Sequence, residues 1–123
     1  MKAVDLKDYQ AIAETLQDYV DGARVPSADQ MRSAFHPGGK IFGHLGDHML
    51  ADPIEALFEW HEENGPATEV VAQFSILDVC ETIAVVRVEA DNWTGHRFTD
   101  YMSLLKVDDK WQIVNKIFHN HEE

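Results

Sequence analysis

The chain has little cysteine and few basic residues, and each shortage excludes a class of protein. Its 123 residues include one cysteine, Cys80, so the internal disulfides that hold many small secreted domains together cannot form. Lys and Arg together number 10 against 22 Asp and Glu, a formal net charge of -12. Nucleic acids and anionic membrane surfaces both attract clustered cations. We therefore expect neither a nucleic-acid partner nor a membrane partner.

Several longer patterns are also missing. No apolar run approaches the ~20 residues of a membrane-spanning helix. Residues 1–10 lack the basic region and apolar segment of a secretory signal. A phosphate loop, a dinucleotide-binding fingerprint and a Ser-His-Asp spacing are absent as well. With 45% hydrophobic residues, the length fits a single domain over residues 1–123, and we expect a cytoplasmic location because a lone cysteine fits a reducing compartment.

The first half of the chain carries helical patterns. Apolar residues between Tyr9 and Val20 recur at the spacing that makes one apolar helix face. We expect three helices, at residues 5–21 with Gly22 ending the first, from Ser27 to the His-Pro-Gly-Gly stop at 36–39, and from Pro53 to Asn64. Two short strands, at residues 40–44 and 48–50, are expected between the second and third helices.

The second half reads as long strands at residues 68–79, 83–93 and 98–118. The last stretch is a hairpin, in which a two-residue turn at Asp108 and Asp109 would pair Val107 with Lys110. Side chains alternate across a strand, so this register assigns one face of the hairpin. That face would carry Phe98, Asp100, Met102 and Leu104 of one strand and Ile113, Asn115, Ile117 and His119 of the other. A mostly apolar face with isolated polar groups is typical of a ligand pocket.

Helices followed by strands predict an α+β fold. An antiparallel sheet of four to six strands curls because strands twist, and three N-terminal helices would cover its concave face. Such a cone encloses a cavity.

The other face of the hairpin is too apolar to be left in water. It would carry Tyr101, Ser103, Leu105, Val114 and Phe118. With no fourth helix to cover it, a second copy of the chain is the expected cover. We predict a homodimer formed through the outer sheet face.

Three motifs together resemble a known family. They are Tyr19-Val20-Asp21-Gly22 in the first helix, Phe35-His36-Pro37 before a strand that ends at Gly43, and Asp100-Tyr101 leading to Lys110-Trp111-Gln112-Ile113-Val114-Asn115-Lys116. From about Asp5 to His119 the chain resembles the putative lumazine-binding family of the nuclear transport factor two-like superfamily, which also contains ketosteroid isomerase and the SnoaL-like polyketide cyclases. The resemblance implies a cystatin-like cone, often dimeric through its outer sheet face. It implies no single activity, because the superfamily hosts enzymes and non-enzymes.

Asp100 is the foremost candidate for chemistry. A carboxyl group on the concave face must be hydrogen-bonded or have a raised pKa, and could then act as an acid, a base or a ligand anchor. A structural acid bonded to Tyr19, Asn115 or a backbone amide is the alternative. The resemblance to ketosteroid isomerase implies that Asp100 and Tyr19 contact a substrate oxyanion. The carboxylate base of that enzyme is missing here, and His44 occupies the corresponding stretch as a possible substitute, so the candidate catalytic residues are Asp100 and His44.

The predicted ligand contacts extend beyond this pair. They are Tyr19, His44, Trp93, Phe98, Asp100, Asn115 and His119. Histidines also pair as His44 with His48 and His119 with His121, but zinc requires three or four ligands in a defined geometry, so no metal is expected. No cofactor is expected either.

Three functions remain open. The first is a binding protein for a small apolar or aromatic molecule, pterin-like or lumazine-like compounds included. The second is a cofactor-free isomerase, cyclase or dehydratase that uses Asp100 with His44 or His119 for proton transfer. The third is a dimeric protein-interaction module. Catalysis requires two titratable groups within reach of one substrate, whereas binding requires only shape and hydrogen bonds.

Overall fold

The computed structural model describes residues 3–121. The helices are α1 (Leu6–Ala23), α2 (Asp29–Ser33) and α3 (Glu55–Asn64), and the strands are β1 (Phe35–Leu45), β2 (His48–Pro53), β3 (Val71–Cys80), β4 (Ile83–Trp93), β5 (His96–Val107) and β6 (Lys110–Asn120). The strands form one curved sheet in the order β2-β1-β6-β5-β4-β3. The predicted α+β cone is therefore confirmed. Across the part of the chain that the structure describes, no helix is long and apolar enough to cross a membrane.

Helix α1 forms the largest helical part of the core. It begins after Asp5, whose carboxylate accepts a hydrogen bond of 2.9 Å from the backbone N–H of Lys7, which satisfies a donor that the helix start leaves free. Its buried face carries Ile12, Leu16 and Tyr19, each fully buried. The sequence predicted that Gly22 ends this helix, but Gly22 lies within it, and a Cβ there would meet the backbone nitrogen of Met31 at 2.4 Å. Gly22 therefore allows α1 and α2 to pack closely.

Helix α2 is shorter than predicted, because the chain enters strand β1 at Phe35. The His-Pro-Gly-Gly segment at 36–39 lies inside β1, at an irregularity in the pairing between Phe35 and Lys40. Strand β1 runs parallel to β6, and every other neighbouring pair in the sheet is antiparallel. This parallel pair was not anticipated, and it joins the first strand to the closing hairpin.

The closing hairpin has the predicted turn, with Val107 paired to Lys110. The predicted register holds as far as Leu104, which pairs with Ile113, and then shifts by one residue because Ser103 pairs with Asn115. Val114 is the extra residue of this β-bulge. Since the side-chain period of a strand is two, the shift turns every later residue of β6 to the opposite face.

The bulge corrects the sequence-based assignment of the two sheet faces. Lys116, Phe118 and Asn120 are buried on the concave side, opposite Met102, Asp100 and Phe98. Conversely, Asn115, Ile117 and His119 belong to the outer face, where they pair with Ser103, Tyr101 and Thr99. The predictions that Asn115 and His119 face the cavity and that Phe118 faces outward are wrong.

Candidate functional site

A cavity of about 110 Å³ lies between α3 and the concave side of the sheet. Its walls are almost entirely apolar and include Ile41, Leu57, Trp60, Trp93, Phe98 and Phe118. Leu45, Leu50 and Trp60 are half-buried, so the cavity opens to solvent beside them. Lys116 is the one charged residue in its lining.

Lys116 contributes to the cavity lining, and its nitrogen lies close to aromatic rings of that lining. The nitrogen is 5.3 Å from the ring centroid of Trp93 and 5.9 Å from that of Phe118, and both rings line the cavity. It is also 5.1 Å from the ring centroid of Tyr19. A cation within about 6 Å of aromatic centroids is attracted by the rings, which helps to hold the amine away from water.

Behind the cavity wall, Lys116, Tyr19 and Asp100 form a hydrogen-bonded chain, which we call the buried triad. The amine of Lys116 donates to the hydroxyl of Tyr19 at 2.7 Å, and this hydroxyl donates to Oδ2 of Asp100 at 3.3 Å. The amine lies 3.8 Å from the same carboxyl oxygen. All three residues are buried, with Lys116 6% exposed, Tyr19 0% and Asp100 1%. The triad therefore connects the cavity to a carboxyl group in the core.

Burial works against both charges of the triad. It raises the pKa of Asp100, an effect opposed by the charge of Lys116 and by the hydrogen bond from Tyr19. Burial likewise lowers the pKa of Lys116, opposed by the charge of Asp100. The pKa of Tyr19 lies well above its usual value, first through burial and then through the neighbouring Asp100 charge. Burial thus favours the neutral form of each group, whereas the attraction between Lys116 and Asp100 favours the charged pair.

The other oxygen of Asp100, Oδ1, is buried and has no hydrogen-bond partner within residues 3–121. A carboxylate with one unpaired oxygen in an apolar core is unfavourable, whereas a protonated carboxyl group loses less on burial. This agrees with the direction of the pKa shift of Asp100.

The structure brings together some of the predicted site residues. Trp93 and Phe98 line the cavity. Tyr19 and Asp100 contact each other but lie behind the lining, with Lys116 between them and the cavity. The alternative that Asp100 is bonded to Tyr19 is thus observed, and the alternative bond to Asn115 is not. Whether these residues bind a ligand stays a prediction.

Three predicted residues lie elsewhere. His44 is exposed on β1, between the inward-facing Gly43 and Leu45, and it pairs with His119 across the β1–β6 ladder on the outer face. Asn115 belongs to that face as well. A proton-transfer pair of Asp100 with His44 or His119 is therefore separated by the sheet.

The outer histidines form a small polar cluster. The rings of His119 and His121 are 4.7 Å apart, and Nε2 of His121 lies 2.8 Å from the hydroxyl of Thr99. Within the described residues there is no group of three or more His, Cys, Asp or Glu that could hold a metal ion.

Sequence reasoning missed Lys116, because the uninterrupted register placed it on the outer face. One signal pointed the other way. Lys116 and Phe118 are two residues apart on one strand, so their side chains lie on the same face of the sheet. A large aromatic ring is more readily buried than left in water, which favours the buried face for both residues.

Comparisons with known proteins agree with this architecture. Residues 7–119 match the family model described as Putative lumazine-binding. A curated relative, the aldolase FrzH of a Cladobotryum species, is 29% identical over 121 residues, which are 98% of this chain and 97% of that protein.

Two solved structures of high similarity are NTF2-like proteins of unknown function. The protein from Methylobacillus flagellatus is 42% identical with a TM-score of 0.93, covering 97% of this chain and 96% of that one. The protein from Shewanella baltica is 35% identical with a TM-score of 0.90, covering 99% of this chain and all of that one. The match to the family model over most of the chain, together with these NTF2-like folds, shows that this chain belongs to the Putative lumazine-binding family.

Proposed function

We propose that this protein binds a small, largely apolar or aromatic carbonyl compound in the cavity beneath α3. The observation that carries the proposal is Lys116, the one charged residue in the lining of an otherwise apolar cavity, whose amine lies 5.3 Å from the ring centroid of Trp93. Apolar walls with few polar groups are the usual composition of a small-molecule site. An ammonium or amine N–H in this position would donate to a carbonyl oxygen of the ligand.

The cavity volume limits the size of the ligand. A volume of about 110 Å³ is somewhat below the roughly 150 Å³ of an engineered apolar cavity that holds benzene. A short branched chain therefore fits, and a single ring would fill the cavity and reach its opening. A two-ring compound such as a lumazine, which also carries carbonyl oxygens on a flat aromatic system, would extend through the opening beside Trp60 and Leu50.

A thermal-shift screen tests this proposal. Small aromatic aldehydes and ketones, pterins, flavins, ketosteroids and aromatic acids would be compared with alcohol analogues of the carbonyl compounds. The variant Ala56→Trp fills the cavity from α3, and Glu59→Trp is its control on the exposed side of the same helix. We expect a carbonyl compound to stabilise wild type and Glu59→Trp and to leave Ala56→Trp unchanged. Absence of stabilisation by every carbonyl compound would overturn the proposal.

Catalysis is the second candidate function, and the buried triad favours it. Aldol-type reactions form and break bonds next to a carbonyl group and pass through an enolate, which a nearby amine can stabilise while a second group holds the proton. Lys116 could take the first role and Asp100, through Tyr19, the second. The curated relative named an aldolase supports this class of reaction over the isomerase, cyclase or dehydratase that the sequence left open as an alternative.

Hydrogen-deuterium exchange at the carbon next to the carbonyl group tests the catalytic candidate. A bound ketone that exchanges faster with wild type than with Asp100→Asn or Tyr19→Phe, at ligand concentrations that saturate all three proteins, would support catalysis. Binding without enhanced exchange would leave a binding protein only.

We also propose that two copies of this chain, each a single domain over residues 1–123, pair through the outer sheet face. Ile83, Val85, Tyr101 and Ile117 are 54%, 42%, 47% and 47% exposed on neighbouring strands. Apolar side chains that cluster on a sheet are expected to be covered. Because these residues lie on the face opposite the cavity, a dimer would leave the cavity accessible. The cytoplasmic location stays a prediction from sequence.

A further inference from the structure

We infer that the amine of Lys116 is a nucleophile that forms a Schiff base with the carbonyl carbon of an aldehyde or ketone held in the cavity. This inference rests on the proposed function and names the chemistry of the same site. Two observations carry it. Lys116 is the charged residue in the lining of an apolar cavity, with its nitrogen close to two rings of that lining, and this nitrogen is joined through Tyr19 to the carboxyl group of Asp100.

A lysine must be neutral to attack a carbonyl group, and burial in an apolar site favours that form. Burial lowers the pKa of Lys116. Other lysines lie in different settings, since Lys40 and Lys110 are exposed to water and Lys106 is paired with Asp8 at 2.9 Å. Of these four lysines, Lys116 alone lines the cavity.

The reaction balances without a further reagent. The neutral amine of Lys116 adds to the carbonyl carbon, and a proton passes from the nitrogen to the former carbonyl oxygen to give a neutral carbinolamine. Loss of that oxygen as water, with one more proton, leaves a carbon-nitrogen double bond that carries a positive charge. The sum is one amine, one carbonyl compound and one proton giving one iminium ion and one water molecule.

Asp100 and Tyr19 are placed to assist as positioning residues. Asp100 can supply the proton in its neutral form and then remains as a carboxylate 3.8 Å from the nitrogen, where it offsets the iminium charge. Tyr19 holds the nitrogen at 2.7 Å. The iminium ion would accept the electron pair of a neighbouring bond, so that a proton or a carbon fragment next to the carbonyl carbon can leave.

A purely structural role for Lys116 predicts a different outcome. If the amine serves only as the counter-charge of Asp100, a carbonyl ligand accepts a hydrogen bond from it and no covalent bond forms. Reduction of the protein-ligand mixture separates the two cases. Borohydride converts a Schiff base into a stable secondary amine, whereas a ligand held only by a hydrogen bond forms no covalent adduct.

The experiment uses the intact protein and a small aromatic aldehyde near neutral pH, with and without sodium cyanoborohydride. Intact mass and peptide mapping then locate the adduct. We expect one adduct at Lys116, formed in wild type and in Glu59→Trp and lost in Ala56→Trp. Lys116→Gln should lose it as well, while Lys40→Gln should keep it. The variant Ala56→Trp retains the triad, so the test does not depend on whether Lys116→Gln folds.

The outcomes separate this inference from the proposed function. If the aldehyde stabilises the protein in the thermal-shift screen but reduction traps it only on exposed lysines, the Schiff base is overturned and binding stands. If no carbonyl compound binds, the Schiff-base inference and the proposed function are both overturned. A single trapped adduct at Lys116 that depends on an open cavity supports both.

Discussion

The amine of Lys116 and the hydroxyl of Tyr19 meet at 2.7 Å across 97 positions of sequence. One belongs to the last strand and the other to the first helix, and both are buried. Their contact joins the two ends of the fold and places an ionisable group against the cavity.

Removal of the Lys116 amine should destabilise the fold. The change Lys116→Met leaves Asp100 buried without its counter-charge, which typically costs about 3–5 kcal/mol in the free energy of unfolding. The second change, Asp100→Asn, should recover much of that loss, because the buried charge is then gone. Urea unfolding of the two single variants and the double variant measures the coupling.

The loss of stability in Lys116→Met should depend on pH, in a direction set by the pKa of Asp100. Burial already raises the pKa of Asp100, and loss of the lysine charge raises it further. A group with a raised folded-state pKa favours the fold at low pH, and this contribution is lost as pH rises through that pKa. The free energy of unfolding of Lys116→Met should therefore approach that of wild type as pH falls. A difference that stays constant or grows would contradict the assignment of a buried, proton-binding Asp100.

Glu89 should support stability against acid. Hydrogen bonds from Thr99 and Arg97 lower the pKa of Glu89 to about 2, from an ordinary 4.5. A group with a depressed folded-state pKa contributes stability above the unfolded-state value and loses it as pH falls through the folded-state value. Wild type should thus unfold at a higher temperature than Glu89→Gln above pH 4.5, with the gap closing towards pH 2. The exposed Glu59→Gln is the control, and an unchanging gap for Glu89→Gln would refute the prediction.

A side chain at Gly43 should destabilise the fold. A Cβ at this position would lie 2.5 Å from Cδ1 of Phe118 and 2.6 Å from its backbone oxygen, so the ring that lines the cavity would have to move. Gly43→Ala should lower the free energy of unfolding by about 1–3 kcal/mol, the usual cost of overpacking, and weaken ligand binding. Gly38→Ala is the matched control on the same strand, because its Cβ would lie 3.3 Å from the side chain of His36 on an exposed segment. Equal stability of both variants would show that Phe118 does not pack against Gly43.

The outer sheet face should hold a dimer together. A charge at its centre, Ile117→Asp, should convert the dimer into a monomer, because burying an unpaired carboxylate between subunits is strongly unfavourable. Leu6→Asp adds the same charge at an exposed apolar residue of α1, 75% exposed, and should leave the dimer intact. Light scattering coupled to size-exclusion chromatography measures the mass. A wild-type monomer, or a monomer from Leu6→Asp alone, would place the interface elsewhere or remove it.

The parts of the fold that depend on residues close together in sequence could be predicted from sequence. The apolar spacing of α1 and the Asp108–Asp109 turn are local signals, and the structure shows both. The parallel pairing of β1 with β6 joins residues far apart in sequence, such as Lys40 with Asn115, and local patterns carry little information about such distant contacts.

The candidate site could be predicted only in part, and the reason is one residue. Phe98 and Asp100 face the interior as strand alternation predicted, and Tyr19 does so as helical spacing predicted. The bulge at Val114 then exchanges the faces of the residues that follow. A bulge is decided by how the whole sheet packs and twists, so a two-residue period read along one strand cannot reveal it. It moved Asn115 and His119 out of the predicted site and brought Lys116 in.

The most direct test of the account is an NMR titration of isotope-labelled lysine side chains with a small aromatic ketone or aldehyde that stabilises the protein. The signal of Lys116, identified by its loss in Lys116→Gln, should shift on ligand addition, while the signals of the exposed Lys40 and Lys110 stay in place. The same ligand should shift no lysine signal in Ala56→Trp. A ligand that binds with the Lys116 signal unmoved would contradict the account, because the amine would then not be the polar contact of the cavity.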